Sequence, residues 1–124
     1  MTLFINCLAV GAGGALGAVA RFLLGLIPIK PQNGFPVITL FINVAGAFFI
    51  GILAALASKI SGLDSRLLLF LKAGFCGGFT TFSTFSLETL QLFQNGRTAL
   101  GILYIILSLL LGIGAAAAAQ HIIR

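Results

Sequence analysis

The sequence predicts an all-α integral membrane protein with four transmembrane helices, and two observations support this prediction. Of the 124 residues, 60% are hydrophobic and only 7% are charged, whereas about 25% of the residues of a soluble domain are charged. Polar joints that contain Pro or Gly divide the chain into four apolar runs, at about residues 3–27, 36–58, 67–93 and 99–122. Each run is long enough as a helix to cross a hydrocarbon core of about 30 Å. We therefore expect residues 1–124 to form a single transmembrane domain in the lipid bilayer.

The first two spans are apolar helices with small residues at regular intervals. Gly13 and Gly17 in span one, and Ala47 and Gly51 in span two, are each four residues apart and so share a helix face. Such small faces let helix backbones approach closely. They can join helices within one subunit or between two subunits, and we favour the first interpretation.

Span three differs from an ordinary transmembrane helix in the stretch "GFCGGFTTFSTFS", residues 74–86. Gly77 and Gly78 are adjacent, and we expect them to interrupt the helix. Three rings follow at intervals of three residues: Phe79, Phe82 and Phe85. Hydroxyl side chains lie among the rings: Thr80, Thr81, Ser83 and Thr84. A break, a stripe of rings and a stripe of hydroxyls together indicate a pathway rather than simple core packing.

Other polar side chains lie within the spans. Tyr104 and Ser108 share one face of the otherwise apolar span four. Asn43 lies in span two, Arg21 near the end of span one, and Glu88 near the end of span three. Polar groups inside a membrane are costly and therefore indicate function. Snorkelling of Arg21 to the headgroups, and an interhelical hydrogen bond of Asn43 that only fixes packing, remain open as alternatives.

The residue types favour a small anion as the solute. No carboxylate lies centrally in any span, which argues against a cation pathway. Hydroxyls, an asparagine amide and backbone N–H groups all donate hydrogen bonds, and the edge of a phenyl ring is electropositive. Weak, repeated sites of this kind also allow an ion to leave. From the residues alone we expect a narrow pathway for a small anion.

The charge distribution excludes one class of partner and leaves the orientation open. The seven basic residues give a net charge of +5 but are scattered singly, so we exclude nucleic acid as a partner. Four spans put both termini on one side of the membrane. The side with the termini receives Lys59, Arg66, Lys72 and Arg124, and the other side receives Arg21, Lys30 and Arg97. This near balance gives almost no positive-inside bias and fits a protein that inserts in both orientations.

Nothing in the sequence supports enzymatic chemistry or a side-chain metal site. Cys7 and Cys76 lie in apolar runs, where we expect buried thiols, and His121 is close to the C-terminus. No nucleophile, base and orienting residue can be assembled from these side chains. The N-terminus has no basic region before its apolar run, so we do not expect a cleaved signal peptide.

The stretches "GGFTTFSTFSLET", "FINVAGAF" and "GGALGAVARF" resemble the Fluc/CrcB family of bacterial fluoride channels, and the resemblance covers essentially the whole chain. It implies a dual-topology antiparallel homodimer, multi-pass in the bacterial cytoplasmic (inner) membrane, with two fluoride pores. The implied function is passive export of cytoplasmic fluoride, which lowers fluoride toxicity. The implied partners are fluoride, the lipid bilayer and a second copy of the chain.

The resemblance also implies roles for individual residues. Phe82 and Phe85 match the ring pair that lines the pore, and Asn43 matches an asparagine that faces the pore and positions the rings. Gly77 and Thr80 match a helix break whose backbone carbonyls hold a structural Na⁺ at the dimer interface.

Further matches lie along the pore and at its mouth. The expected polar track comprises two residues of span four and two nearby hydroxyls: Tyr104, Ser108, Ser83 and Thr84. Arg21 matches an arginine near the vestibule, where positive charge raises the local anion concentration. We expect Glu88 to lie at a pore mouth.

Two other functions would fit a small four-span protein. A small multidrug-type proton-coupled antiporter needs an intramembrane carboxylate to exchange protons for a cationic drug. Glu88 is the sole candidate and lies off-centre. The second alternative is a subunit that transports nothing, in which the rings and hydroxyls only join helices.

Overall fold

The computed structural model describes residues 2–124 and confirms an all-α fold with four helical spans. The spans are Thr2–Gly25 (α1), Val37–Lys59 (α2), Ser65–Gln94 and Thr98–Ile123 (α6). All four are long and apolar enough to cross a membrane. Their ends lie within two residues of the ranges expected from the sequence.

Span three is built from four helical pieces. The short helix α3 (Ser65–Leu68) begins at Asp64, whose side chain accepts a hydrogen bond from the Arg66 backbone nitrogen. A π-helical stretch (Leu69–Cys76) follows, then a single turn, α4 (Gly77–Phe79), and finally α5 (Phe82–Gln94). The span is therefore irregular over most of its first half.

The predicted interruption of span three is confirmed, but it lies after the two glycines. Gly77 and Gly78 have helical geometry as part of α4. The chain is extended instead at Thr80 (φ −81°, ψ 158°) and Thr81 (φ −148°, ψ 119°). The position differs because Gly78 serves close helix packing: a Cβ there would lie 3.0 Å from the Gly14 Cα. The extended backbone therefore lies at the two threonines and not at the two glycines.

The small residues of α1 pack against span three of the same subunit. A Cβ on Gly13 would lie 2.9 Å from the Phe75 backbone nitrogen, and one on Gly17 would lie 2.8 Å from the Phe79 backbone nitrogen. Real Cβ atoms do not approach backbone this closely, so only glycine permits this spacing of the two helices. The GxxxG motif of span one is thus used within the subunit, as favoured from the sequence.

The helices α2 and α6 also meet through small residues. A Cβ on Gly51 would lie 2.7 Å from the Ala116 carbonyl oxygen and 3.0 Å from the Ala119 Cβ. Gly46, one turn earlier on α2, faces the Thr80 side chain and brings α2 against the break in span three. This packing places Asn43 within reach of the break.

Contacts at the helix ends define two faces of the molecule. The Lys59 ammonium donates to the Ile123 carbonyl (2.8 Å), and the Arg66 guanidinium donates to the Asn6 side chain (3.3 Å). We call this end, which carries both chain termini, the terminal face. At the other end, which we call the opposite face, Arg97 donates to the Gln32 carbonyl (3.3 Å).

Candidate functional site

Asn43 holds the break in span three through two hydrogen bonds. Its Nδ2 donates to the Thr81 carbonyl (3.1 Å), and the Thr81 N–H donates to its Oδ1 (2.8 Å). The amide side chain thus replaces the backbone partners that Thr81 would have in a continuous helix. The Thr81 hydroxyl in turn accepts a hydrogen bond from the Thr84 N–H (3.1 Å) and caps α5.

These bonds release two carbonyl groups from the helix. In a continuous α-helix the Thr81 N–H would donate to the Gly77 carbonyl, and the Thr84 N–H would donate to the Thr80 carbonyl. Both N–H groups are directed to side chains instead. The two freed carbonyls are those of Gly77 and Thr80, the same pair that the resemblance indicates as cation ligands.

A cavity of about 430 Å³, which we call the ring cavity, lies beside the break. Its walls include several of the residues singled out from the sequence: Asn43, Gly77, Thr80, Phe82, Phe85 and Ser108. The Phe82 and Phe85 rings are tilted by 44° with centroids 5.9 Å apart. Phe82 is 79% exposed on the single chain.

Ser108 is the one side chain in residues 2–124 with a buried polar atom that lacks a hydrogen-bond partner. A serine in a helix ordinarily bonds the carbonyl four residues earlier, which hides its polarity. The Ser108 hydroxyl does not, and it lines the ring cavity. A buried, unbonded hydroxyl is costly, so this group is suited to donate to something that enters the cavity.

A second cavity, of about 770 Å³, opens on the opposite face and is called here the basic cavity. Three cationic side chains line it: Arg21, Lys30 and Arg97. The Arg21 Nε donates to the Gly78 carbonyl (3.2 Å), which holds its guanidinium close to the break. Thr81 lines both cavities, so the two adjoin at the break.

Glu88 lies in the wall of the basic cavity and accepts two hydrogen bonds. The Thr39 hydroxyl donates to its Oε2 and the Tyr104 hydroxyl to its Oε1, each at 2.9 Å. Tyr104 is fully buried, and its ring meets Phe35 and Phe85 edge-on at centroid distances of 5.5 and 5.0 Å. The carboxylate is therefore fixed in place in the wall of the basic cavity.

The other residues expected along the pore lie in different surroundings on the single chain. The Tyr104 hydroxyl donates to Glu88, whereas Ser108 lines the ring cavity. Ser83 is exposed and lines neither cavity; its hydroxyl lies 3.3 Å from that of Thr81. Thr84 lines the basic cavity. These residues share a helix or a neighbourhood but face different surroundings.

Sequence reasoning missed two residues that belong to the site. Thr39 is four residues before Asn43 on α2, and this spacing alone could have placed both on one face. Lys72 had been treated only as part of the charge count, yet it lines the ring cavity. The contact of Thr39 with Glu88 depends on tertiary packing that the sequence does not display.

Cysteine and histidine do not form a site in the described part of the chain. Residues 2–124 contain no group of three His, Cys, Asp or Glu side chains that could hold a metal ion. Cys76 is buried, as expected, but Cys7 is exposed on α1. The expectation of two buried thiols was therefore wrong for Cys7, because its helix presents that position outward.

Comparison with known proteins places this chain in a family. The profile described as "CrcB-like protein, Camphor Resistance (CrcB)" matches residues 8–120. A protein of Nitrobacter winogradskyi is 48% identical over 120 residues, with 94% of each chain covered. A protein of Ruminiclostridium cellulolyticum is 47% identical over 106 residues, covering 85% of this chain and 82% of its own. Both relatives carry the name "Fluoride-specific ion channel FluC". With four spans and this similarity over almost its whole length, the chain is a multi-pass bacterial membrane protein that belongs to the CrcB-like family.

Proposed function

We propose that this protein is a fluoride-selective ion channel that lets cytoplasmic fluoride leave the cell passively. The observation that carries the proposal is the ring cavity, which Ser108, Phe82 and Phe85 line together and where the Ser108 hydroxyl has no hydrogen-bond partner. Two relatives that match most of the chain are named as fluoride-specific channels. No catalytic step is part of this function, so the protein is not an enzyme.

The lining of the ring cavity suits an anion that must bind and then leave. Ser108 and the Asn43 amide offer neutral donors, and the ring edges of Phe82 and Phe85 carry partial positive charge. Neutral contacts hold an anion weakly enough to release it. The basic cavity concentrates anions at one mouth, because Arg21, Lys30 and Arg97 raise the local potential.

We propose that two chains assemble as an antiparallel homodimer with two pores. Phe82, at 79% exposure, and Gly77 lie on an open surface of the single chain. A partner chain would close the open side of the ring cavity, and a two-fold axis would make two such pathways with rings from both subunits. The charge balance of four against three suits insertion of the chain in both orientations.

The freed carbonyls at the break fit a structural Na⁺ between the subunits. Hard cations prefer oxygen ligands, and the Gly77 and Thr80 carbonyls have lost their helical donors to Asn43 and Thr81. Two chains would offer four such oxygens. The cation would supply fixed positive charge that holds the two breaks together.

The two alternative functions have less support. An antiporter would need Glu88 to exchange protons with a cationic substrate, but this carboxylate is bonded to Thr39 and Tyr104 beside a cavity rich in positive charge. A subunit that only packs helices would not need a buried hydroxyl without a hydrogen-bond partner beside a cavity. Neither alternative explains the names of the relatives.

Fluoride efflux from liposomes tests the proposal directly. Purified protein in fluoride-loaded vesicles should release fluoride, read with a fluoride electrode, and should release chloride far more slowly. Equal rates for both anions would contradict selectivity, and no release would contradict a channel. Phe82→Ile and Phe85→Ile should each slow efflux at least tenfold, whereas Phe4→Ile, on an exposed face of α1, should not.

The dimer and the cation need separate measurements. Cross-linking in native membranes should trap antiparallel pairs of chains, and finding only parallel pairs would refute the dual topology. Replacing Na⁺ by a large organic cation during purification should lower the dimer's melting temperature. An unchanged melting temperature would refute the structural Na⁺ while leaving the channel function standing.

A further inference from the structure

We infer that Lys72 supplies the positive charge at the second mouth of the pathway, on the terminal face, and so attracts the anion from the side that Arg21 does not serve. The inference rests on the proposed function and extends it. It assigns a role to a residue that is neither at the break nor in the basic cavity.

The first argument is the position of Lys72 within the membrane. It lies seven residues after the start of span three at Ser65, where a charged side chain is expensive unless it meets water or a partner. The chain has only two acidic residues, Asp64 and Glu88. Asp64 caps α3, and Glu88 is bonded near the opposite face. Lys72, which is exposed on the single chain, therefore lines the ring cavity with neither of these two carboxylates beside it.

The second argument is the π-helical stretch that contains Lys72. In a regular α-helix, residues five apart point about 140° away from each other. In a π-helix the backbone bonds run from i to i+5, so residues five apart come close to alignment. The stretch Leu69–Cys76 thus turns Lys72 toward the face that carries Gly77. Both residues line the ring cavity, which gives this costly irregularity a function.

The third argument is the order of charges along the two adjoining cavities. The basic cavity starts at the opposite face with Arg21, Lys30 and Arg97 and meets the ring cavity at Thr81. Along span three, Lys72 lies on the terminal-face side of the break, and it also lines the ring cavity. Positive charge thus lies at each end, and neutral donors lie between. Charge at a mouth raises the entry rate, whereas charge at the centre would trap the ion.

The test compares charge variants of Lys72 with a matched lysine on the same face. Lys59 is exposed, bonds the Ile123 carbonyl and lines neither cavity, so Lys59→Gln removes an equal charge from the terminal face. Fluoride efflux is measured in neutral-lipid vesicles at about 10 mM and about 1 M salt, where the screening length is roughly 30 Å and 3 Å.

At low salt, Lys72→Gln should slow fluoride efflux about two- to threefold, the change in local anion concentration made by one charge about 8 Å away in water. Lys72→Glu should slow it further, and Lys72→Arg should match the parent chain. At high salt the loss should disappear. The fluoride-to-chloride ratio should not change in any variant, because selectivity belongs to the rings.

Three results would overturn the inference about Lys72, and a fourth would overturn the proposed function itself. Equal rates for Lys72→Gln and Lys59→Gln would mean that Lys72 only snorkels to the headgroups. A loss that persists at high salt would mean that its effect is not electrostatic. A slow Lys72→Arg would mean that size, not charge, matters. If the parent chain itself releases no fluoride, the proposed function fails first.

Discussion

Replacing Asn43 is the most direct test of how the site is held. Asn43→Leu keeps the size of the side chain but removes both hydrogen bonds to Thr81, at 3.1 and 2.8 Å. Asn43→Asp keeps an acceptor for the Thr81 N–H but sets a second carboxylate oxygen against the Thr81 carbonyl. The first variant therefore tests the loss of both hydrogen bonds, and the second tests the replacement of the donor to the Thr81 carbonyl by an acceptor.

The expected magnitude follows from these two contacts. Leaving a buried N–H or C=O without its partner costs about 1–3 kcal/mol, while a side-chain hydrogen bond inside a membrane is worth about 0.6 kcal/mol on average. For two groups at a half-buried break we expect Asn43→Leu to lower the free energy of unfolding by about 2–4 kcal/mol. The rings would lose their fixed position, so we expect fluoride efflux to fall at least tenfold.

Both quantities can be measured on one preparation. Cys76 is 2% exposed, so its reaction with a thiol-reactive dye reports unfolding in a Cys7→Ser background. Fluoride efflux is read from the same protein in liposomes. If Asn43→Leu melts at the parent temperature and conducts at the parent rate, Asn43 does not hold the break. If only Asn43→Asp is impaired, charge rather than bonding explains the effect.

Three further outcomes test other parts of the structure. Gly17→Ala should lower the free energy of unfolding by about 1–3 kcal/mol, since its Cβ would press on the backbone of span three. Gly11→Ala, with open space around it, should have no such effect. Equal melting temperatures of the two variants would contradict the close packing. Thr81→Val removes the cap of α5 and should cost about 1 kcal/mol, whereas Thr81→Ser should cost less; the thermal shift of each variant decides this. Tyr104→Phe keeps the ring but removes one bond to Glu88, so efflux should slow several-fold while the protein remains folded, and an unchanged rate would remove Glu88 from the pathway.

The four spans were predictable because they depend on local hydrophobicity. Each of the four runs is continuous in the sequence, and lipid permits only a helix for it. Asn43, Phe82, Phe85 and Ser108 were also singled out by type and spacing, and the structure arranges all four around one cavity. These features can be read from the sequence because a polar side chain in a membrane is costly, so its residue type and position alone indicate a function.

The location of the break was not predictable in the same way. Adjacent glycines signal either a flexible backbone or a close helix contact, and the sequence does not tell these apart. The structure shows the second use for Gly78, which meets Gly14 of α1. Thr80 and Thr81 break the helix because Asn43, 38 residues earlier, takes the Thr81 backbone groups. The position of the break therefore depends on a tertiary contact between α2 and span three.

The pairing of the helices has a consequence for how the protein assembles. α1 packs mainly against span three, and α2 packs mainly against α6. The main packing partner of each of these two helices is thus the span two places later in the chain. Spans one and two therefore gain most of their helix contacts only after spans three and four have been synthesised. The glycine faces of α1 and α2 remain in contact with lipid until the later spans enter the membrane. We therefore expect the flanking charges to act on orientation before the helices pack, and packing then to preserve the orientation.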